Sequence, residues 1–560
     1  MTYPFDLGTY SLPVTTPSDE AQTWFDRGLA WIHGYHHEEA IRCFRRALEH
    51  DPDCAMAYWG VAYASGPNYN YPWRLMDWPT REQALARAHQ ATQDALARVF
   101  HTSPTEEALI RALPARYPSA TPQEDMHPWD QSFAEAMRAA HDILPEDPDV
   151  ACVLAEALLN LTPWQMWDQA SGEPARGAAT REARRLLETA LARPGGMTHP
   201  GLLHLYIHLM EMSPTPEAAL PAADALRTLV PDAGHLVHMP THIDVLCGAY
   251  QDAVFWNRQA VRADMKWYDH AGGMDFYTGY RQHDLHFVLY AALFLGQEAP
   301  AREALRLLAD TTPEEMLRIE SPPMADFFES FLAMEPHLLI RFGRWEELLD
   351  LPLPEDPDLH RCRLAYTLYG KALALAALGD VTSALDMERM FLSAAAAVPD
   401  SRLMHNNRVT DLLAIAKEML RGEILYREGH FDAAFAALRR SVALDDALPY
   451  DEPWGWMQPA RHALGALLFE QGRVAEAEEV YRQDLGLAPG LPRASQHPDN
   501  VWSLKGLHDC LAARGETAEL PHVRQRLDLA LARADFSFGA SCFCARTAME
   551  SRPGACCAAG

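Results

Sequence analysis

From Ala21 to Pro52 the chain reads AQTWFDRGLAWIHGYHHEEAIRCFRRALEHDP. Within it a fixed order of residue sizes stands out: Trp24, Gly28, Ala40, Phe44, Ala47 and a closing Pro52. Large residues fill the space between two helices, and the small ones let antiparallel backbones approach closely. Pro52 lacks a backbone N–H and ends the second helix. Ser18, with Asp19 and Glu20 behind it, supplies the start of the first: a hydroxyl caps free amides, and acids are favoured at that pole. The stretch predicts a helical hairpin.

Working outward, the same hairpin recurs. Two copies, 200–233 and 234–267, follow one another without a gap, and a well-formed later copy begins near Gln458 with Gly465, Ala477, Tyr481 and Pro489. The period of 34 residues is that of a tetratricopeptide repeat. Alanine and leucine dominate and period-two alternation is almost absent, so the chain is expected to be all-α. The predicted architecture is a tetratricopeptide-repeat α-solenoid over 18–534, a superhelix curled tightly enough to enclose a central site. An extended lead-in occupies 1–17. Insertions are expected near 66–80, 162–178 and 268–281, and a cysteine-containing tail at 535–560.

In a solenoid each repeat contacts only its neighbours, so 560 residues need not mean several globules. The formal net charge of −29 would repel a phosphate backbone, which excludes nucleic acid as a partner and favours cations. No apolar run is long enough to span a bilayer, and the N-terminus shows neither a basic nor an apolar leader region. Six of the ten cysteines stand singly in helical surroundings, as small buried hydrophobes do. These features predict a cytoplasmic protein without a membrane span.

The histidines carry the chemistry. Gly234-His-Leu-Val-His-Met-Pro-Thr-His242 puts His235, His238 and His242 on one helical face. The preceding repeat carries His204 and His208, each one 34-residue period before His238 and His242. With repeats starting at Pro200, Gly234 and about Gln282, histidines occupy position 5 (His204, His238, His286), position 9 (His208, His242) and position 2 (His235, His283). These positions form the stripe opposite the inter-helix packing face. Imidazoles four apart reach a common point, and all-imidazole ligation suits copper first, then iron or zinc. The seven rings are therefore predicted metal ligands, with Glu156 and His37 as secondary candidates. A satisfied polar network or a site for an anion are the alternatives. Pro240 is expected to kink its helix and aim His242.

Other stretches point to a substrate-gripping edge. Tyr450-Asp-Glu-Pro-Trp-Gly-Trp456, with Arg461 and His462, gathers acids, indoles, a guanidinium and an imidazole near one helix start, and Asp451, Arg461 and His462 are the candidates. Trp164 and Trp167, with Asn68 and Asn70, are candidates for a pocket rim, although capping and packing explain such residues equally. Cys542-Phe-Cys544 is a weak soft-metal motif. No phosphate-binding glycine loop, nucleotide fingerprint or HExxH motif occurs.

At Tyr35-His-His-Glu-Glu-Ala40, Asp51-Pro-Asp-Cys-Ala-Met-Ala-Tyr-Trp-Gly60, Tyr280-Arg-Gln-His-Asp-Leu-His-Phe287 and Ser541-Cys-Phe-Cys544 the chain resembles a family of long bacterial tetratricopeptide-repeat proteins. The resemblance runs nearly end to end. It implies the helical solenoid, with the histidine stripe lining its concave groove, and assigns no activity. Two functions are expected from different classes: a metal-dependent oxidative enzyme acting on a small molecule or peptide, or a scaffold that binds a peptide or protein partner in its groove.

Overall fold

A computed structural model describes residues 3–545. The Ser18 hydroxyl accepts from the Ala21 amide, and α1 runs Asp19–His33. α2 follows at His37–His50 and stops at Asp51, before Pro52. α3 is Ala55–Ser65. Phe44, fully buried, lies between Gly28 of α1 and Gly60 of α3. A Cβ at either glycine would come within 2.6 Å of its ring, so the absence of side chains on both flanks is what seats it. Tyr481 repeats this arrangement between Gly465 and Gly506.

The chain divides into two units. The first comprises residues up to Ile243 together with Gln259–Gly272, and the second Asp244–Arg258 and the residues from Gly273 on. In the first unit α4 (Trp78–Leu96), α5 (Pro104–Arg116), α6 (His127–Ile143), α7 (Pro148–Leu159) and α8 (Thr180–Leu191) continue the antiparallel pairing, before α9 (Pro200–Met210) and α10 (Leu220–Leu226). Residues 66–77 and 160–179 lie between helices, as do 272–277. The N-terminal segment is extended and laid along the helices. The Trp31 indole donates to the Tyr3 hydroxyl at 2.6 Å, the Tyr10 hydroxyl donates to Asp149 at 2.9 Å, and the Thr15 hydroxyl donates to Glu106 at 2.6 Å.

Where one continuous helix was expected from Gly234, there are two: α11 (Gly234–His238) and α12 (Pro240–Leu246). The prolyl nitrogen of Pro240 has no hydrogen to give, and the ladder breaks there rather than bending. α13 then spans Tyr250–Ala271. In the second unit, residues 324–350 form three short helices, Met324–Phe328, Glu335–Arg341 and Trp345–Asp350, with a 3-10 stretch at Glu329–Ala333 between the first two. Pro336 and the left-handed Gly343, at φ +58°, interrupt the run. Among the described residues the strands form one small antiparallel hairpin, β1 (Leu403–Met404) and β2 (Asn407–Arg408). No helix among the described residues is long and apolar enough to cross a membrane.

Candidate metal centre

α9 is buried along its whole length, as a helix apolar on every side must be. His199 caps it: its Nδ1 accepts from the Leu202 amide at 3.3 Å. Gly201 lets it sit close, because a Cβ there would stand 2.5 Å from Nδ1 of His33 and 2.6 Å from Sγ of Cys152. Gly234 does the same for α11, where a Cβ would meet Oδ1 of Asp264 on α13 at 2.0 Å. Two helices that cannot otherwise approach their neighbours thus carry the imidazoles.

His204, His208 and His235 bring one ring nitrogen each to within 4.8 Å of the others. Nε2 of His204 and Nε2 of His235 are 3.2 Å apart. Two imidazoles on one tetrahedral ion, at bonds of about 2.0–2.1 Å, place their nitrogens roughly 3.3 Å apart. Each of the three rings is only 1% exposed. Burial holds the His204 ring down to about 3, and holds His208 and His235 well below the ordinary imidazole range, with the neighbouring imidazoles adding to the effect. All three are neutral, the form in which imidazole binds a metal.

The far sides of the rings decide where their protons sit. Nδ1 of His204 lies 2.7 Å from the His33 carbonyl oxygen and donates to it. Nδ1 of His208 lies 2.9 Å from Oε1 of the fully buried Glu211 and donates to that. The Nε2 lone pairs of both rings therefore face inward, and Nε2 of His208 meets no hydrogen-bond partner among the described residues. The other oxygen of Glu211 lies 2.9 Å from Nδ1 of His242, whose Nε2 faces Nε2 of His238 at 2.7 Å. Glu211 thus orients His208 and stands beside His242, the kind of outer contact that metal-binding imidazoles make. The donor set fits a transition-metal ion.

Aromatic rings wall this cage. Tyr35, held at φ +56° in the turn after α1, packs 4.5 Å from His204 and 5.5 Å from His235 between ring centres. Tyr69 lies 4.5 Å from His208. Its hydroxyl accepts from the Trp164 amide at 3.0 Å, and the Trp164 ring packs against it. Trp164 therefore supports the wall. Trp167 does not offer its indole to a ligand: it donates to the Leu209 carbonyl at 2.7 Å and pins α9.

The seven predicted ligands are not all gathered in this unit. His283 and His286 belong to the second, where Nδ1 of His283 faces Nε2 of His405 at 3.2 Å and Nε2 of His286 faces Sδ of Met457 at 2.7 Å. The secondary candidates lie apart from the triad. Glu156 accepts from the Tyr63 hydroxyl, and burial pushes His37 down to about 3.

The predicted gripping edge in the second unit is a set of structural polar contacts. Asp451 accepts from Nδ2 of Asn407 at 2.5 Å and from the Asn406 amide at 3.3 Å, and burial pushes its carboxyl well above the usual range. Arg461 grips Asp446, at 2.7 Å for the Nη2–Oδ2 contact. His462 accepts from Arg341 at Nδ1 and faces Asp484 with Nε2 at 2.9 Å, its ring held down to about 4 chiefly by burial. Each predicted side chain is engaged by a protein partner of its own. In the tail, Cys542 and Cys544 are joined to each other, while Cys556 and Cys557 lie outside the described residues.

Glu211, Tyr35, Tyr69, His405 and Met457 were not read from the sequence. Glu211 follows His208 by three residues, so it shares a helical face with it, and that spacing was a usable signal. The others reach their sites through tertiary packing alone.

Comparison with known proteins adds the repeat type. Residues 21–54 match the family model described as tetratricopeptide repeat. No curated protein matches the chain. Among solved structures, one of Naa15/Naa10 bound to HypK-THB is similar at 12% identity, covering 91% of this chain and 70% of the other, with a TM-score of 0.20. The crystal structure of the P58(IPK) TPR domain is similar at 12% identity, covering 80% of this chain and 99% of the other, again with a TM-score of 0.20. The chain thus carries a tetratricopeptide repeat at 21–54 within a mostly helical fold.

Proposed function

We propose that this tetratricopeptide-repeat scaffold is a metal-binding protein, with a divalent transition-metal ion held in its first unit by Nε2 of His204, His208 and His235. The observation that carries this reading is the convergence of three neutral imidazoles, of which His204 and His208 have their outer nitrogens tied to the His33 carbonyl and to Glu211. Copper is the first expected metal, and iron or zinc follow. Three protein ligands leave a coordination position open, as catalytic metal sites do. The buried rings shield that position from bulk water, and the enzymatic form of this reading is oxidative chemistry on a small substrate. The metal would supply Lewis acidity or electron transfer. The chain's own residues hold neutral ligands and exclude bulk water.

Metal analysis of the purified chain tests this. One ion per triad, lost in His208→Ala with the helical content unchanged, is the expected result. A chain that takes up no Zn(II), Co(II) or Cu(II) at micromolar concentration sinks the proposal. A second reading, capture of a peptide or protein segment, is favoured by the repeat at 21–54. Under it His208→Ala leaves partner binding intact.

A further inference from the structure

The second unit holds a cysteine pair that the triad does not use. Cys542 and Cys544 are joined across a single residue, Phe543. A cross-link restrains the unfolded chain more the longer the loop it closes, and this one joins residues only 2 apart in sequence. It therefore adds little to the fold, and the stretch is held by other contacts. Phe543 is buried against Phe536 at 5.5 Å and Trp502 at 6.2 Å between ring centres. It lies over Gly343, where a Cβ would come within 2.8 Å of its ring. Arg427 donates to the Cys544 carbonyl at 2.5 Å, and the hydroxyls of Ser541 and Tyr481 bond each other. None of these contacts needs the sulfur–sulfur bond.

The two sulfurs differ. Cys542 is partly exposed, whereas Cys544 is buried. The Cys544 amide donates to Sγ of Cys542 at 3.3 Å. A backbone N–H aimed at sulfur favours the thiolate over the thiol, and the thiolate is the reactive form. Access and activation thus fall on one atom, with a second thiol within bonding reach. By contrast, burial pushes the Cys54 thiol up to about 11 and the Cys510 thiol up to about 12, which keeps both protonated at neutral pH.

We propose that Cys542 and Cys544 are a redox-active pair that carries out thiol–disulfide exchange, with Cys542 as the sulfur that meets the substrate. The substrate class is a disulfide, RS–SR, and the electron donor that resets the pair is a thiol. From the reduced pair, the Cys542 thiolate attacks one sulfur of RS–SR; a mixed disulfide forms and one RS⁻ leaves. The Cys544 thiolate then attacks Sγ of Cys542, the Cys542–Cys544 bond forms and the second RS⁻ leaves. The pair's two electrons pass to the substrate, and the protons of the two cysteine thiols end on the two released thiols. External thiol reverses the sequence. The pair shares no residue with the triad, so the inference does not depend on metal binding.

The test uses the full chain with glutathione as the probe. The tryptic peptide Ala534–Arg546 contains Cys542 and Cys544 and no other cysteine, so mass spectrometry after alkylation reads this pair alone. In wild type, oxidised glutathione is expected to convert the peptide to its internal disulfide without accumulating a mixed disulfide, and reduced glutathione to restore both thiols. Cys544→Ser is expected to stop with glutathione on Cys542. Cys542→Ser should take up glutathione about tenfold more slowly or less, because only the buried sulfur remains. Three results overturn the proposal: a wild type that keeps glutathione on Cys542, equal rates in the two variants, or a pair that stays in one oxidation state across all glutathione ratios. The first and third are read on wild type and need no variant to fold.

Discussion

Glu211 accepts from Nδ1 of His208 and stands 2.9 Å from Nδ1 of His242. In Glu211→Leu the acceptor for Nδ1 of His208 is gone, so nothing keeps the ring proton there and off Nε2, the nitrogen that would bind metal. Affinity for Co(II) at the triad is expected to fall about 10–100-fold, the usual consequence of removing an outer partner. Titration followed by visible absorption checks it, with circular dichroism as the control for folding; undiminished affinity would show that the carboxylate does not set the tautomers. The 34-residue period made the histidine-bearing helices legible as neighbours, but it pairs His204 with His238, whereas the ring that meets His204 is His235, 31 residues on. The partition of His283 and His286 into the second unit was not legible, since periodicity says which face a residue takes and not which unit it joins. Arg461 and Asp451 looked like ligand-binding residues for a related reason: the sequence shows charge, and only the fold shows the countercharge.

Phe44 is the element-scale counterpart. It is seated between two glycines, so nothing on α1 or α3 can swing into the space it leaves. Phe44→Ala should cost about 3–5 kcal/mol, at the full range for a cavity that cannot collapse. Thermal denaturation of the chain would reveal it as a lowered first transition. Gly234→Ala is the paired case at the site, since its new methyl must displace Asp264 or α11. A loss of about 1–3 kcal/mol is expected from such overpacking, together with weakened Co(II) binding because α11 carries His235. Metal affinity equal to wild type would mean α11 tolerates the shift. The first hairpin was readable at this scale because size order and proline position specify it locally. The 324–350 segment is less so, because Pro336 and Gly343 break it into short helices.

At the scale of the whole molecule, burying uncharged histidines makes acid the natural denaturant. Burial holds His37 and His337 down to about 3 and His462 to about 4, against about 6.5 in the unfolded chain. Between those limits the unfolded chain binds protons that the folded one refuses. The sign follows: this contribution is fully present above about pH 6.5 and is lost progressively as pH falls towards the folded values. Each such histidine steepens the loss by at most about 1.4 kcal/mol per pH unit. His462 also faces Asp484, whose carboxyl is held well below its usual range by His462 and His497 against its own burial, so a protonated His462 meets an ionised partner and this contact does not add to the acid loss. Melting temperatures measured at pH 7.5, 6.5, 5.5 and 4.5 should therefore be flat across the first interval and fall with increasing steepness below it. His337→Gln removes one titrating ring from the second unit and should flatten the acid limb while lowering the plateau by the cost of an imperfect fit. A melting temperature independent of pH from 6.5 to 4.5 would mean that these rings become protonated without unfolding the chain, and that water reaches them in the folded state.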